Sequence, residues 1–267
     1  MLIRCGYNIA YECANTPMLL MVHVSPERQS DIRSAEVLSV SPTVPYRTYL
    51  DGFGNVCTRL VAPSGTLRLT CDFVIHDDGL PDPVQRDAKQ HPVDELPHDI
   101  LVFLLGSRYC ETDRLSDTAW SQFGSYEPGW PRVQAILDYA HDRITFGYQH
   151  ARPDKTAWDA HHEQLGVCRD YAHLAITLCR CMNIPARYCT GYLGDIGVPK
   201  DPASMDFSAW FEVYLSGAWH TLDARHNKPR IGRIVMARGR DATDTAISTA
   251  FGSAKLIDFQ VITEEVL

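Results

Sequence analysis

The sequence predicts an α+β protein, and three observations carry that expectation. Residues 1 to 80 hold short apolar runs separated by turn residues. One long apolar stripe at helical spacing runs between Gly166 and Met182. Short strand-like runs then follow towards the end of the chain.

In the first region, Met18–Val24, Ala35–Val40, Asn55–Val61 and Thr66–Ile75 read as strands. Ser41-Pro42, Asp51-Gly52, Gly54-Asn55, Pro63-Ser64-Gly65 and Asp77-Asp78-Gly79 read as the turns between them. Leu67, Leu69, Cys71, Phe73 and Ile75 alternate along the chain, which places them on one face of a strand. Short strands at this spacing predict an N-terminal β-sandwich-like domain over 1–80. Residues 81–130 are expected to form a linker and bridging segment, since 81–99 is rich in Pro, Asp and His; a short helix is expected near Ile100–Leu105.

Residues 131–267 form the second expected domain. Its first helix, Pro131–Ile144, has proline at a favourable first position and a stripe of Val133, Ile136, Leu137 and Ala140. In the Gly166–Met182 helix, Tyr171, Leu174, Ala175, Leu178 and Met182 share one face. Asn183-Ile184-Pro185 ends it, because proline restricts the residue before it and cannot continue a helix. Ala186–Tyr192, Phe207–Leu215, Ala218–Asp223 and Leu256–Val261 read as strands, with Gly217 in a tight hairpin turn.

Composition narrows the function classes. Hydrophobic residues at 45% and charged residues at 22% give an ordinary globular balance, with a core that needs no disulfide staples. The net charge of −8 argues against nucleic-acid binding, which needs a basic face. Arg225, Lys228, Arg230, Arg233, Arg238 and Arg240 make a local basic run, whose simplest reading is a solvated face. No apolar run reaches the roughly 18 residues needed to span a bilayer, and no signal peptide is recognisable, so no membrane partner is expected. Nine scattered cysteines fit a reduced, cytoplasmic protein in which most are buried small hydrophobes. There is no phosphate-binding loop or dinucleotide fingerprint, and the oligomeric state is not readable.

Cys168 differs from the other eight cysteines in its position. It starts the long helix, where partial positive charge and free N–H groups favour a thiolate and can hold an oxyanion. Gly166 leaves room for a substrate backbone.

The run Gly166-Val167-Cys168-Arg169-Asp170-Tyr171-Ala172 resembles the nucleophile motif of the transglutaminase-like superfamily. Asn183-Ile184-Pro185-Ala186-Arg187-Tyr188 resembles that family's helix-to-strand exit. Ala209-Trp210-Phe211-Glu212-Val213 resembles its histidine strand, and Trp219 with Thr221-Leu222-Asp223 its aspartate strand. The resemblance is close over 130 to 225, and the first 80 residues are similar to the β domain of bacterial members. It implies a papain-like core, with the cysteine helix packed on an antiparallel sheet. It also implies cysteine protease, deamidase or acyl-transfer chemistry on a peptide or protein amide, without metal or organic cofactor. Cys168 would be the nucleophile and Asp223 the residue that orients the base.

One position departs from the family pattern. The base histidine precedes Ala-Trp, and here Ser208 stands there. Serine cannot take a thiol proton near neutral pH. Either another histidine enters the site, or Cys168 works slowly on its own thiolate fraction, or the domain is a catalytically silent binding module. His226, three residues after Asp223, is the candidate substitute base. His220 is out of phase with Asp223 on its strand, His173 lies well around the helix from Cys168, and His161 and His162 read as solvated loop residues. Trp210 and Trp219 read as core packing or as walls of a substrate site; Glu212 reads as a buried paired carboxylate or a strand-edge charge.

Overall fold

The computed structural model describes residues 1–200 and 206–266. The first third of the chain forms β1 (Leu2–Cys13), β2 (Thr16–Leu20), β3 (Ser39–Ser41), β4 (Tyr46–Leu50), β5 (Val56–Ala62) and β6 (Gly65–His76). The alternation read from Thr66 to Ile75 is seen in β6, whose Leu67, Leu69, Phe73 and Ile75 point into a core with Ile3 and Ile9 of β1 and with Met18, Leu20 and Leu60 of β2 and β5. The apolar run expected over Ala35–Val40 yields only the short β3.

The bridging segment is more ordered than a linker. Near Ile100–Leu105 there is a single 3-10 turn, Leu101–Leu104. Helix α1 (Thr112–Phe123) follows, burying Leu115, Ala119 and Phe123. Helix α2 (Trp130–Arg143) carries the expected stripe. Short strand β7 (Thr145–Phe146), helix α3 (Ala157–Glu163) and strand β8 (Leu165–Gly166) lead to α4 (Cys168–Cys181), and β7 and β8 pair in parallel. The remaining strands are β9 (Ala186–Leu193), β10 (Ser208–Leu215), β11 (Ala218–Leu222), β12 (Arg233–Gly239), β13 (Ser248–Ala250) and β14 (Ala254–Glu265).

These strands make three four-stranded antiparallel sheets, ordered β14–β1–β6–β3, β13–β2–β5–β4 and β11–β10–β9–β12. In the third, α4 lays Leu174, Ala175 and Leu178 against Ala209, Phe211 and Val213 of β10. Tyr192, Ile234 and Met236 of the same sheet reach the core that holds the β1 and β6 side chains, so the cores meet at β9 and β12. The last two strands cross back: β13 pairs with β2 and β14 with β1, within the first two sheets rather than beside α4.

Candidate active site

The site is assembled at the start of α4. The Val167 N–H donates to Asp170 Oδ2 at 2.9 Å, which closes the helix entry. Gly166 lies against that carboxylate, where a Cβ would sit 2.8 Å from Asp170 Oδ2. The glycine is required by this cap, and it is not among the residues that line the cavity in front of Cys168. That cavity, about 290 Å³, is lined by Cys168, Tyr148, Asp206, Ser208, Arg225, His226 and Arg230 among others.

Cys168 is partly buried. Burial pushes its thiol up to about 11, helped by the Asp206 carboxylate and opposed by Arg225 and the Ala209 N–H. The thiolate expected from the helix start is thus outweighed by desolvation and a nearby negative charge. Shielding pushes the Asp206 carboxyl up to about 6, against its bond to the Phe207 backbone and the attraction of Arg225.

Ser208, the first residue of β10, pairs with Gly191 and reaches the cavity. Asp223, just past β11, is buried and is not hydrogen-bonded to Ser208 among the described residues. Instead the chain folds back, so that His226 Nδ1 lies 2.9 Å from Asp223 Oδ2 and the His226 N–H donates to Oδ1 at 3.0 Å. Arg233 Nη2 donates to Oδ2 at 2.8 Å. Burial alone would raise the Asp223 carboxyl, but Arg233 and His226 hold it well below the usual carboxylate range. An ionised Asp223 can only accept, so the His226 ring nitrogen facing it, Nδ1, is the donor. Arg233 is held in turn by Asp82 at 2.8 Å and 3.0 Å. Asp82 belongs to the segment read as linker, and nothing in its Pro- and Asp-rich surroundings marks it out in the sequence.

The other histidines stand apart. His220 Nε2 lies 3.0 Å from the Leu215 carbonyl and its ring meets Trp130 edge-on. His173 is fully buried, stacked on Tyr109, and accepts from the Ala242 N–H. His161 and His162 lie on α3 rather than in a loop; His161 is buried beside Tyr139 and His162 packs on Trp158. Neither tryptophan walls the cavity. Trp210 is packed with Cys189 and Val235 under the Arg233 guanidinium, and Trp219 lies under Arg187 at 4.1 Å. Glu212 is the paired carboxylate, held by Arg187 at 2.5 Å and Arg238 at 3.1 Å. The basic run divides. Arg233, Arg238 and Arg240 are in ion pairs with Asp223, Glu212 and Asp244, whereas Arg225, Lys228 and Arg230 line the cavity.

Residues 119–224 match the family model of the transglutaminase-like superfamily, a match that stops two positions before His226. A crystal structure of a candidate cysteine protease from Cytophaga hutchinsonii superposes with a TM-score of 0.84 at 30% identity, covering 99% of this chain and 90% of that one. Among curated proteins, an uncharacterised protein of Mycobacterium leprae is 26% identical over 97% of this chain and 95% of its own length. An uncharacterised protein of Mycobacterium tuberculosis is 28% identical over 79% of this chain and 73% of its own. With the α4 cysteine, its supporting sheet and this full-length likeness together, the chain belongs to the transglutaminase-like superfamily.

Proposed function

We propose that the protein is a thiol-dependent acyl-transfer enzyme acting on amide bonds of a peptide or protein, with Cys168 as nucleophile, His226 as base and Asp223 as the orienting carboxylate. The observation that carries this reading is that His226, 2.9 Å from Asp223, lines the cavity that also holds Cys168. Since the resting thiol is neutral, its proton must leave as the sulfur attacks. His226 Nε2 takes that proton while Sγ bonds to the amide carbon. The imidazolium, stabilised by Asp223, then gives the proton to the departing amine as the C–N bond breaks, leaving a thioester. Water or a second amine attacks the thioester, passing its proton through His226 to the sulfur and regenerating the thiol. The Cys168 and Arg169 N–H groups, free of intrahelical partners at the helix start, suit the oxyanion. No Cys168–His226 hydrogen bond is present among the described residues, and such contacts commonly tighten only with substrate bound.

The test is a stopped-flow burst with p-nitrophenyl acetate. A burst stoichiometric with protein, absent from Cys168→Ala and slowed about 10²–10⁴-fold in His226→Ala, is the expected result. An unchanged His226→Ala burst would remove His226 from the mechanism. Ser208 and the raised thiol favour a second reading, a silent binding domain; it predicts no wild-type burst and a burst gained by Ser208→His. All nine cysteines are free, which supports a reducing, cytoplasmic setting. No helix among the described residues is long and apolar enough to cross a membrane.

A further inference from the structure

The basic residues left over from the mechanism point to what the cavity receives. Arg225, Lys228 and Arg230 come from one short segment after β11 and line the same space as Cys168. Two carboxylates, Asp195 and Asp206, face it as well. Asp195 is already engaged, lying 3.8 Å from Arg230 and holding a further interaction. Arg230 is 4% exposed, gives one N–H to the Gly194 carbonyl, and has a buried Nε with no partner among the described residues. Arg225 rests on the Phe146 ring at 3.7 Å and makes no ion pair among the described residues, and neither does the exposed Lys228. With Asp195 set against Arg230 and Asp206 also facing the space, the three cations outnumber the two carboxylates by one among the described residues, in a chain of net charge −8. A concave, partly desolvated wall concentrates such a field.

We infer that the Cys168 cavity is a subsite for an acyl substrate that carries a carboxylate close to the amide under attack, with Arg225, Lys228 and Arg230 as the residues that select it. A free chain terminus or an acidic side chain next to the scissile bond has this chemistry. Arg225 and Lys228 supply charge at the open side, and Arg230 fixes the inner edge. This inference deepens the proposed function and rests on it, since it presumes that Cys168 is the acceptor of the acyl group.

Its test does not need turnover. Iodoacetate and iodoacetamide alkylate the same sulfur, so the ratio of their rates is independent of how much thiolate is present. The ratio is measured at Cys168 by peptide mapping of the full chain, with glutathione as the reference thiol. The expected ratio exceeds that of glutathione by about 10-fold or more, and falls towards it in Lys228→Gln, in Arg225→Gln and in 0.5 M NaCl. A wild-type ratio at or below that of glutathione overturns the subsite. A high ratio unaffected by both substitutions overturns its assignment to these residues. The p-nitrophenyl acetate burst uses a neutral reagent, so loss of the acyl-transfer reading and loss of the subsite give separate results.

Discussion

Asp223 is buried and receives donors from His226 twice and from Arg233 once. Replacing it with asparagine keeps the shape but removes the charge that fixes the His226 proton on Nδ1. Asp223→Asn should therefore slow the ester burst by about 10²–10⁴-fold while leaving the iodoacetate to iodoacetamide ratio in place. A burst within twofold of wild type would show that His226 is not oriented through this carboxylate. Cys168 and Asp223 were legible as candidates because they lie inside the runs that resemble the family's motifs. His226 was readable only as a candidate, since its approach to Asp223 depends on a loop reversing direction after β11. Asp82 was not readable at all: it acts at one remove, through Arg233, across a separation of 151 residues.

At the scale of elements, α4 and β9 to β11 were placed almost to the residue, because sharp signals bound them: Asn183-Ile184-Pro185 between α4 and β9, and Gly217 between β10 and β11. The long strand β1 was not anticipated. It runs in the middle of its sheet and carries the same two-residue alternation as β6, with Ile3, Cys5, Tyr7, Ile9, Tyr11 and Cys13 buried and Arg4, Asn8 and Glu12 on the less covered face, so its signal was legible in the sequence. Between β9 and β12 the register slips at Met236, which sends its side chain into the β-sheet core. Gly191 faces this irregularity: a Cβ there would lie 2.1 Å from the Ile234 carbonyl oxygen and 3.0 Å from the Met236 nitrogen. Both are backbone atoms and cannot swing aside. Gly191→Ala should destabilise the fold by about 1–3 kcal/mol, a drop of roughly 2–10 °C in the thermal midpoint. Calorimetry that finds the midpoint unchanged would mean that β12 moves freely at the bulge.

Across the whole molecule, stability is tied to acidity by groups far from the cavity. Burial, with Arg143 and His162 adding to it, lowers His161 from 6.5 to about 4. As pH falls through that window the unfolded chain takes up a proton at this position that the folded chain refuses. Stability from His161 is therefore full above its unfolded value and declines down to its folded one. Relative to His161→Gln, the wild type should lose about 1.4 kcal/mol per pH unit between pH 6 and pH 4 in urea unfolding. Parallel curves for the two proteins would place His161 in solvent.

The pairing of β14 with β1 also has a consequence in time. Arg4 and Glu264 are linked by a 2.9 Å ion pair although 260 residues separate them. At a synthesis rate of about 5–20 residues per second, β1 leaves the ribosome roughly 10–50 s before its outer neighbour exists. It can pair with β6 early, but its other edge stays an open row of N–H and C=O groups throughout that interval. Whatever shields that edge in the nascent chain has to come from outside the finished fold.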